Sequence, residues 1–195
     1  MTKKYELTTE SIVVGDRTLH RIQALKDFVD VKKGDVGGWI ESEDNLSHDG
    51  NCWIYNNASV FGDAKVFHSA RVFGSARVFG SARVLGSARV FGNAKIFGDA
   101  RVFRHASVFG DAEISNTAEV SGHANVYDHA KISGDVRITG YANVYGDARV
   151  FGHAEVSGYA SVYDDAKVSG YARVCGNALV CDNADVCGDT DITTY

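Results

Sequence analysis

Histidine, cysteine, arginine and aromatic residues recur in this chain at intervals of six and eighteen, so the first question is what they could do together. His105 and His123 lie eighteen apart, and an imidazole titrates near neutrality, which makes a positioned His the natural candidate for a general base. Cys175, Cys181 and Cys187 follow one another six apart, and thiolates are the usual ligands of structural zinc. Lys65, Arg71, Arg77, Arg83, Arg89, Lys95, Arg101 and Arg104 face a single acid, Asp99, between residues 64 and 104. A cationic block of that kind suits a polyanion. Phe73, Phe91, Phe109, Tyr127, Tyr145 and Tyr163 form an aromatic series at the same eighteen-residue interval. Which of these groups meet depends on the elements that carry them.

Those elements are unusually legible. Of the 22 positions spaced by six from Ala58 to Ala184, all but Val136 hold Ala, and two residues after each stands Val or Ile. A helix at 3.6 residues per turn would rotate such a pattern around its axis, whereas a strand points residues two apart to one face. The unit A-x-[VI]-x-G-x therefore predicts a short strand with Ala and Val inward, then a corner that Gly permits. Each unit buries its apolar face only against neighbours, which describes a β-solenoid.

The residue after the core Val sets the number of units per coil. Every third unit from Tyr55 to Tyr163 keeps an aromatic ring there, while the other two registers drift to Ser, Thr and Cys. An eighteen-residue coil with three walls explains that segregation. The expectation is an all-β, single-stranded parallel triangular prism of about eight coils over residues 46–195. Residues 1–45 lack the repeat, carry a hairpin signal at Gly15–Asp16, and read as a β cap over the first coil.

That geometry sorts the candidate chemistry. Successive cysteines fall on three different walls, too far apart for one zinc ion or a disulfide. His68, His105, His123, His129 and His153 all take corner positions. The spacing never slips between Ala58 and Ala184, so no inserted loop encloses a substrate, and this argues against catalysis. The basic block becomes a girdle around all three walls. Nucleic acid, with guanidinium on phosphate and Phe on a base, is one partner for it. The wall bearing the aromatic series has the outward slots Trp53, Arg71, Arg89, Ser107, Asn125, Asn143, Ser161 and Leu179, with no charge from Ser107 onward. A flat neutral strip rich in Tyr resembles an interface core, so a protein partner or a second copy of the chain is the favoured contact. No apolar run is long enough to span a membrane, and "MTKKYELTTES" lacks the apolar stretch of a signal peptide. Four cysteines without a disulfide framework fit a reduced, cytoplasmic setting.

The spacing of Val60, Val66 and Val72, with Ala58, Ala64 and Ala70 two residues before them, resembles the hexapeptide-repeat left-handed β-helix superfamily over residues 46–193. That family places Gly directly after the aliphatic residue, whereas here Gly62, Gly74 and Gly80 come one position later. The segment "GGWIESEDNLSHDGNCWIYNNA" at 37–58, followed by the repeat, is similar to the YdcK-like proteins of bacteria and phages, which carry polymer-forming or transferase labels. The resemblance implies a left-handed coil. It also implies an alternative function, acyl transfer from acyl-coenzyme A with His105 or His123 as base. A phage origin would add a host protein to the partners of the girdle. The residues themselves favour a non-enzymatic interaction module that needs no cofactor and no metal.

Overall fold

The computed structural model describes residues 3–194. Strand β1 (Tyr5–Val14) pairs antiparallel with β2 (Arg17–Ala24) about the Gly15–Asp16 turn, and β2 pairs antiparallel with β3 (Val36–Ile40). From β3 onward every pairing is parallel, and the chain winds through three sheets in turn. Wall I follows β3 with Ser59–Val60, Arg77–Val78 and so on to Asp185–Val186. Wall II runs from Lys65–Val66 to Asp191–Thr194, and wall III from Trp53–Ile54 to Leu179–Val180. The structure is thus a parallel β-solenoid with eighteen residues per coil, as in Arg89 opposite Ser107 and Asn125 opposite Asn143. Walls II and III have eight rungs each, the expected number. Wall I gains one more from β3, because Trp39–Ile40 lies in register with Ser59–Val60.

The repeat explains each rung. Ala and Val point inward and are fully buried from Ala58 to Val174, forming one continuous core. Each buried Val contributes about 1.5–3 kcal/mol relative to exposure. The main chain bonds coil to coil: Arg89 N–H donates to Ala106 O at 2.9 Å and Phe91 N–H to Val108 O at 3.0 Å. Alternation continues one residue past Val, so the ring at that place points out before the chain turns. The turn itself then falls on the Gly slot, which has φ +70° at Gly92. Where the slot holds another residue the same angle persists, at 60° for His68 and 61° for Arg104. The late Gly noted in the sequence is therefore the left-handed corner residue of a strand one position longer.

One coil is irregular. Ile40 pairs with Val60 and Leu46 bridges Val66, both twenty residues apart, whereas Ile54 pairs with Val72 at eighteen. The two extra residues sit between Leu46 and Ile54, and the chain bulges there around Ser47–Cys52.

Candidate functional site

Wall III carries three outward columns, because the residue before Ala, the residue between Ala and Val, and the residue after Val all face away from the core. The trailing column is the aromatic series. Phe73–Phe91 and Phe91–Phe109 stack at 4.7 Å, Phe109–Tyr127 at 4.8 Å, Tyr127–Tyr145 at 4.9 Å and Tyr145–Tyr163 at 5.0 Å, with planes within a few degrees of parallel. All six rings are half-buried by one another. Burial raises the pKa of Tyr127, and a hydrogen bond with the Cys181 thiol pushes Tyr163 up to about 12.

The leading column is a second ladder. His105 stacks on His123 at 4.9 Å, His123 on Tyr141 at 4.8 Å, and Tyr141 on Tyr159 at 5.1 Å. These tyrosines are the more exposed, at 50% for Tyr141 and 63% for Tyr159. Between the ladders runs a trough of small neutral residues. Asn125 Nδ2 donates to Asn143 Oδ1 at 3.1 Å, and Asn143 Nδ2 donates to Tyr141 O at 3.1 Å, so the amides are ordered along the axis. The eighteen-residue spacing of His105, His123, Tyr141 and Tyr159 is visible in the sequence. That the leading column borders the same wall follows from the strand alternation.

His105 and His123 are brought together. Among the described residues neither imidazole makes a hydrogen bond or an ion pair, whereas His129 faces Asp111 at 3.7 Å and His153 faces Asp135 at 3.6 Å. Their stacking supplies no partner that would orient either ring as a base.

The girdle residues lie on all three walls: Arg77 and Lys95 on wall I, Lys65, Arg83 and Arg101 on wall II, Arg71 and Arg89 on wall III, and Arg104 at a corner. Several are engaged within the molecule. Arg71 pairs with Asp30 at 3.2 Å, Lys95 with Glu113 at 2.9 Å and Arg101 with Glu119 at 3.2 Å. Arg77 lies over the Phe61 and Phe79 rings, and Arg89 over Phe73. At the top of wall III, Asp30, Tyr55, Asn56, Arg71, Phe73 and Arg89 line an open depression of about 190 Å³. The Asp30 carboxylate accepts there from Tyr55 Oη at 3.1 Å.

A second cluster, unforeseen in the sequence, fills the bulge at Ser47–Cys52. Lys4 is only 1% exposed, and its Nζ donates to Cys52 O at 2.9 Å and reaches Cys52 Sγ at 3.3 Å. The Lys4 backbone N–H donates to His48 Nδ1 at 3.1 Å, the His48 ring stacks on Tyr5, and Tyr5 Oη donates to Leu46 O at 2.7 Å. Burial lowers the Lys4 pKa and raises that of Cys52. The signal for it was the eight-residue step from Leu46 to Ile54 in a chain that otherwise steps by six.

Among the described residues no helix is long and apolar enough to cross a membrane. No protein-family model matches the chain. Over 38 residues it is 53% identical to the uncharacterized acetyltransferase YdcK of Escherichia coli strain K12, a stretch that is 20% of this chain and 12% of that protein. Taken with the eighteen-residue rungs, this short match makes the chain similar to the hexapeptide-repeat, YdcK-like proteins.

Proposed function

We propose that the chain is a rigid scaffold that associates side by side with a second copy of itself through wall III. The observation that carries this reading is the uncharged trough Ser107–Asn125–Asn143–Ser161 between two aromatic ladders. Walls I and II present Lys, Arg, Glu and Asp at the equivalent slots, and burying those would cost several kcal/mol per unpaired ion. From Ser107 onward, below Arg71 and Arg89, wall III avoids that cost and offers Tyr, the residue type enriched at interface centres. Its features repeat every 4.8 Å or so, the spacing of neighbouring strands. A second copy has the same repeat along the whole contact, so its ladder rings meet the trough at every rung.

The chain's own arm already uses the top of the same wall. Phe28 and Tyr5 pack edge-on against Trp53 at 5.4 and 6.1 Å, and Asp30 holds Tyr55 and Arg71. The five uncharged rungs from Ser107 to Leu179 give a strip roughly 20–25 Å long and only a few residues wide, which places the contact at the small end of stable interfaces. Association in the micromolar range is expected. Light scattering across a concentration series tests it: the unmodified chain shifts toward twice the monomer mass, and Asn143→Lys with Ser161→Lys abolishes the shift. A monomer at every concentration sinks the proposal.

A second reading is acyl transfer, favoured by the name of the YdcK relative and by the stacked His105 and His123 on the border of wall III. It predicts that acetyl-coenzyme A binds in calorimetry and that His105→Ala with His123→Ala removes the binding or the turnover. No comparable observation favours a polyanion on the girdle, where several of the cations lie against carboxylates and rings.

A further inference from the structure

We propose that Lys4 and Cys52 are an oxidant-responsive pair that closes to a covalent Nζ–O–Sγ bridge, tying the N-terminal arm to the first coil. Four observations support it. Nζ and Sγ are 3.3 Å apart, close to the span that one bridging oxygen requires. The amine is held in that place from other directions, by Cys52 O at 2.9 Å and Gly50 O at 3.4 Å, so the two atoms do not have to find each other. The thiol is likewise fixed, directed at Ser47 O at 3.5 Å and Asp49 O at 3.7 Å. Both side chains are buried, at 1% and 0% exposure, so water does not compete for the intermediates.

The surroundings match the chemistry. A nitrogen must be a neutral amine to form a bond to oxygen, and burial shifts Lys4 in that direction. Burial raises the Cys52 pKa, the Lys4 hydrogen bond to Sγ offsets part of that rise, and transfer of the thiol proton to the same amine yields the thiolate that attacks a peroxide. An open cleft is lined by Leu46, Ser47, His48 and Phe67, and Ser47 is also the residue whose carbonyl faces Sγ. A small oxidant reaches Sγ by local opening of the bulge.

The balance is as follows. One hydrogen peroxide converts the Cys52 thiol to a sulfenic acid, releasing water. A second converts the Lys4 amine to a hydroxylamine, again releasing water. Condensation of the two joins N–O–S and releases a third water. Sulfur and nitrogen each lose two electrons to the two peroxides, the S–H bond and one N–H bond break, and one peroxide oxygen remains in the bridge. The link spans residues 48 apart in sequence and holds the start of β1 against the bulge.

The test uses the full chain with Cys175→Ser, Cys181→Ser and Cys187→Ser, because those three thiols are partly or fully exposed. It is treated with hydrogen peroxide and followed by high-resolution intact mass and peptide mapping. The expected product has one oxygen more and two hydrogens fewer, joins the peptides that contain Lys4 and Cys52, and reverts with a thiol reductant. Its melting temperature lies above that of the reduced chain. Lys4→Arg and Cys52→Ser each abolish the product. Should either variant fail to fold, the peptide map of the Lys4, Cys52 chain decides alone. Sulfinic or sulfonic acid at Cys52 with Lys4 free overturns the proposal, as does a Cys52 that stays reduced throughout, or the same mass gain in Lys4→Arg.

Discussion

Trp53 and Ser107 stand in the same column of wall III, three rungs apart, and meet opposite surroundings. Trp53 is 1% exposed because Tyr5 and Phe28 of the N-terminal arm close over it, while Ser107 faces outward beside the Phe109 ring. At the top of the prism the wall is an interior surface, built from contacts that occur once. Farther down it is an exterior one, and every contact recurs eighteen residues later. The difference shows that one backbone surface serves as an interior packing face or an exposed outer face according to what the rest of the chain lays on it.

The strongest way to break this comparison is Trp53→Ala, which should cost about 3–5 kcal/mol and release the arm, against a change within about 0.5 kcal/mol for Ser107→Ala. Thermal and urea unfolding of both variants measure it. If the two cost the same, the arm does not cover the wall.

The corners give the next largest effect, with opposite signs at equivalent places. Gly92→Ala puts a Cβ at φ +70° and 2.9 Å from Gly110 N, so a loss of roughly 1–3 kcal/mol is expected. Arg104→Gly relieves a side chain already at φ 61° and should gain about 1 kcal/mol. Urea midpoints for the pair check both signs. A loss for Arg104→Gly would mean that its side chain makes contacts worth more than the strain.

The ladder is third. Phe91 stacks on both Phe73 and Phe109, and Phe91→Leu removes two aromatic contacts while keeping apolar cover, for about 1–2 kcal/mol by chemical unfolding.

The smallest effect concerns Glu41 at the top of wall I. Its Oε2 accepts from Gly62 N–H at 2.7 Å, the main reason its pKa lies below the ordinary carboxylate value, and its carboxylate also pairs with Arg17. A depressed folded pKa means stability that is present above about pH 4.3 and lost as pH falls through the lower folded value. Glu41→Gln should therefore lower stability at neutral pH while leaving the acid end nearly unchanged, which flattens the acid limb of the stability curve. An unchanged acid limb would show that the bond to Gly62 is not formed in solution.

The sequence by itself determined the prism. Ala58 to Ala184 at intervals of six assign the strands from Ser59–Val60 to Asp185–Val186, the aromatic class at Phe73, Phe91 and Phe109 assigns the walls, and strand alternation assigns in and out. That works because a translational repeat makes each residue's neighbour its own copy eighteen positions on, so local pattern and tertiary contact carry the same information. Tertiary structure alone decided what the arm does: that Phe28 closes over Trp53, that Asp30 reaches Arg71, and that Lys4 enters the bulge to meet Cys52. Those pairs are 25, 41 and 48 residues apart, share no period, and arise only when the arm folds back onto the first coil. Their partners were selected by shape and unsatisfied carbonyls, which no spacing in the chain announces.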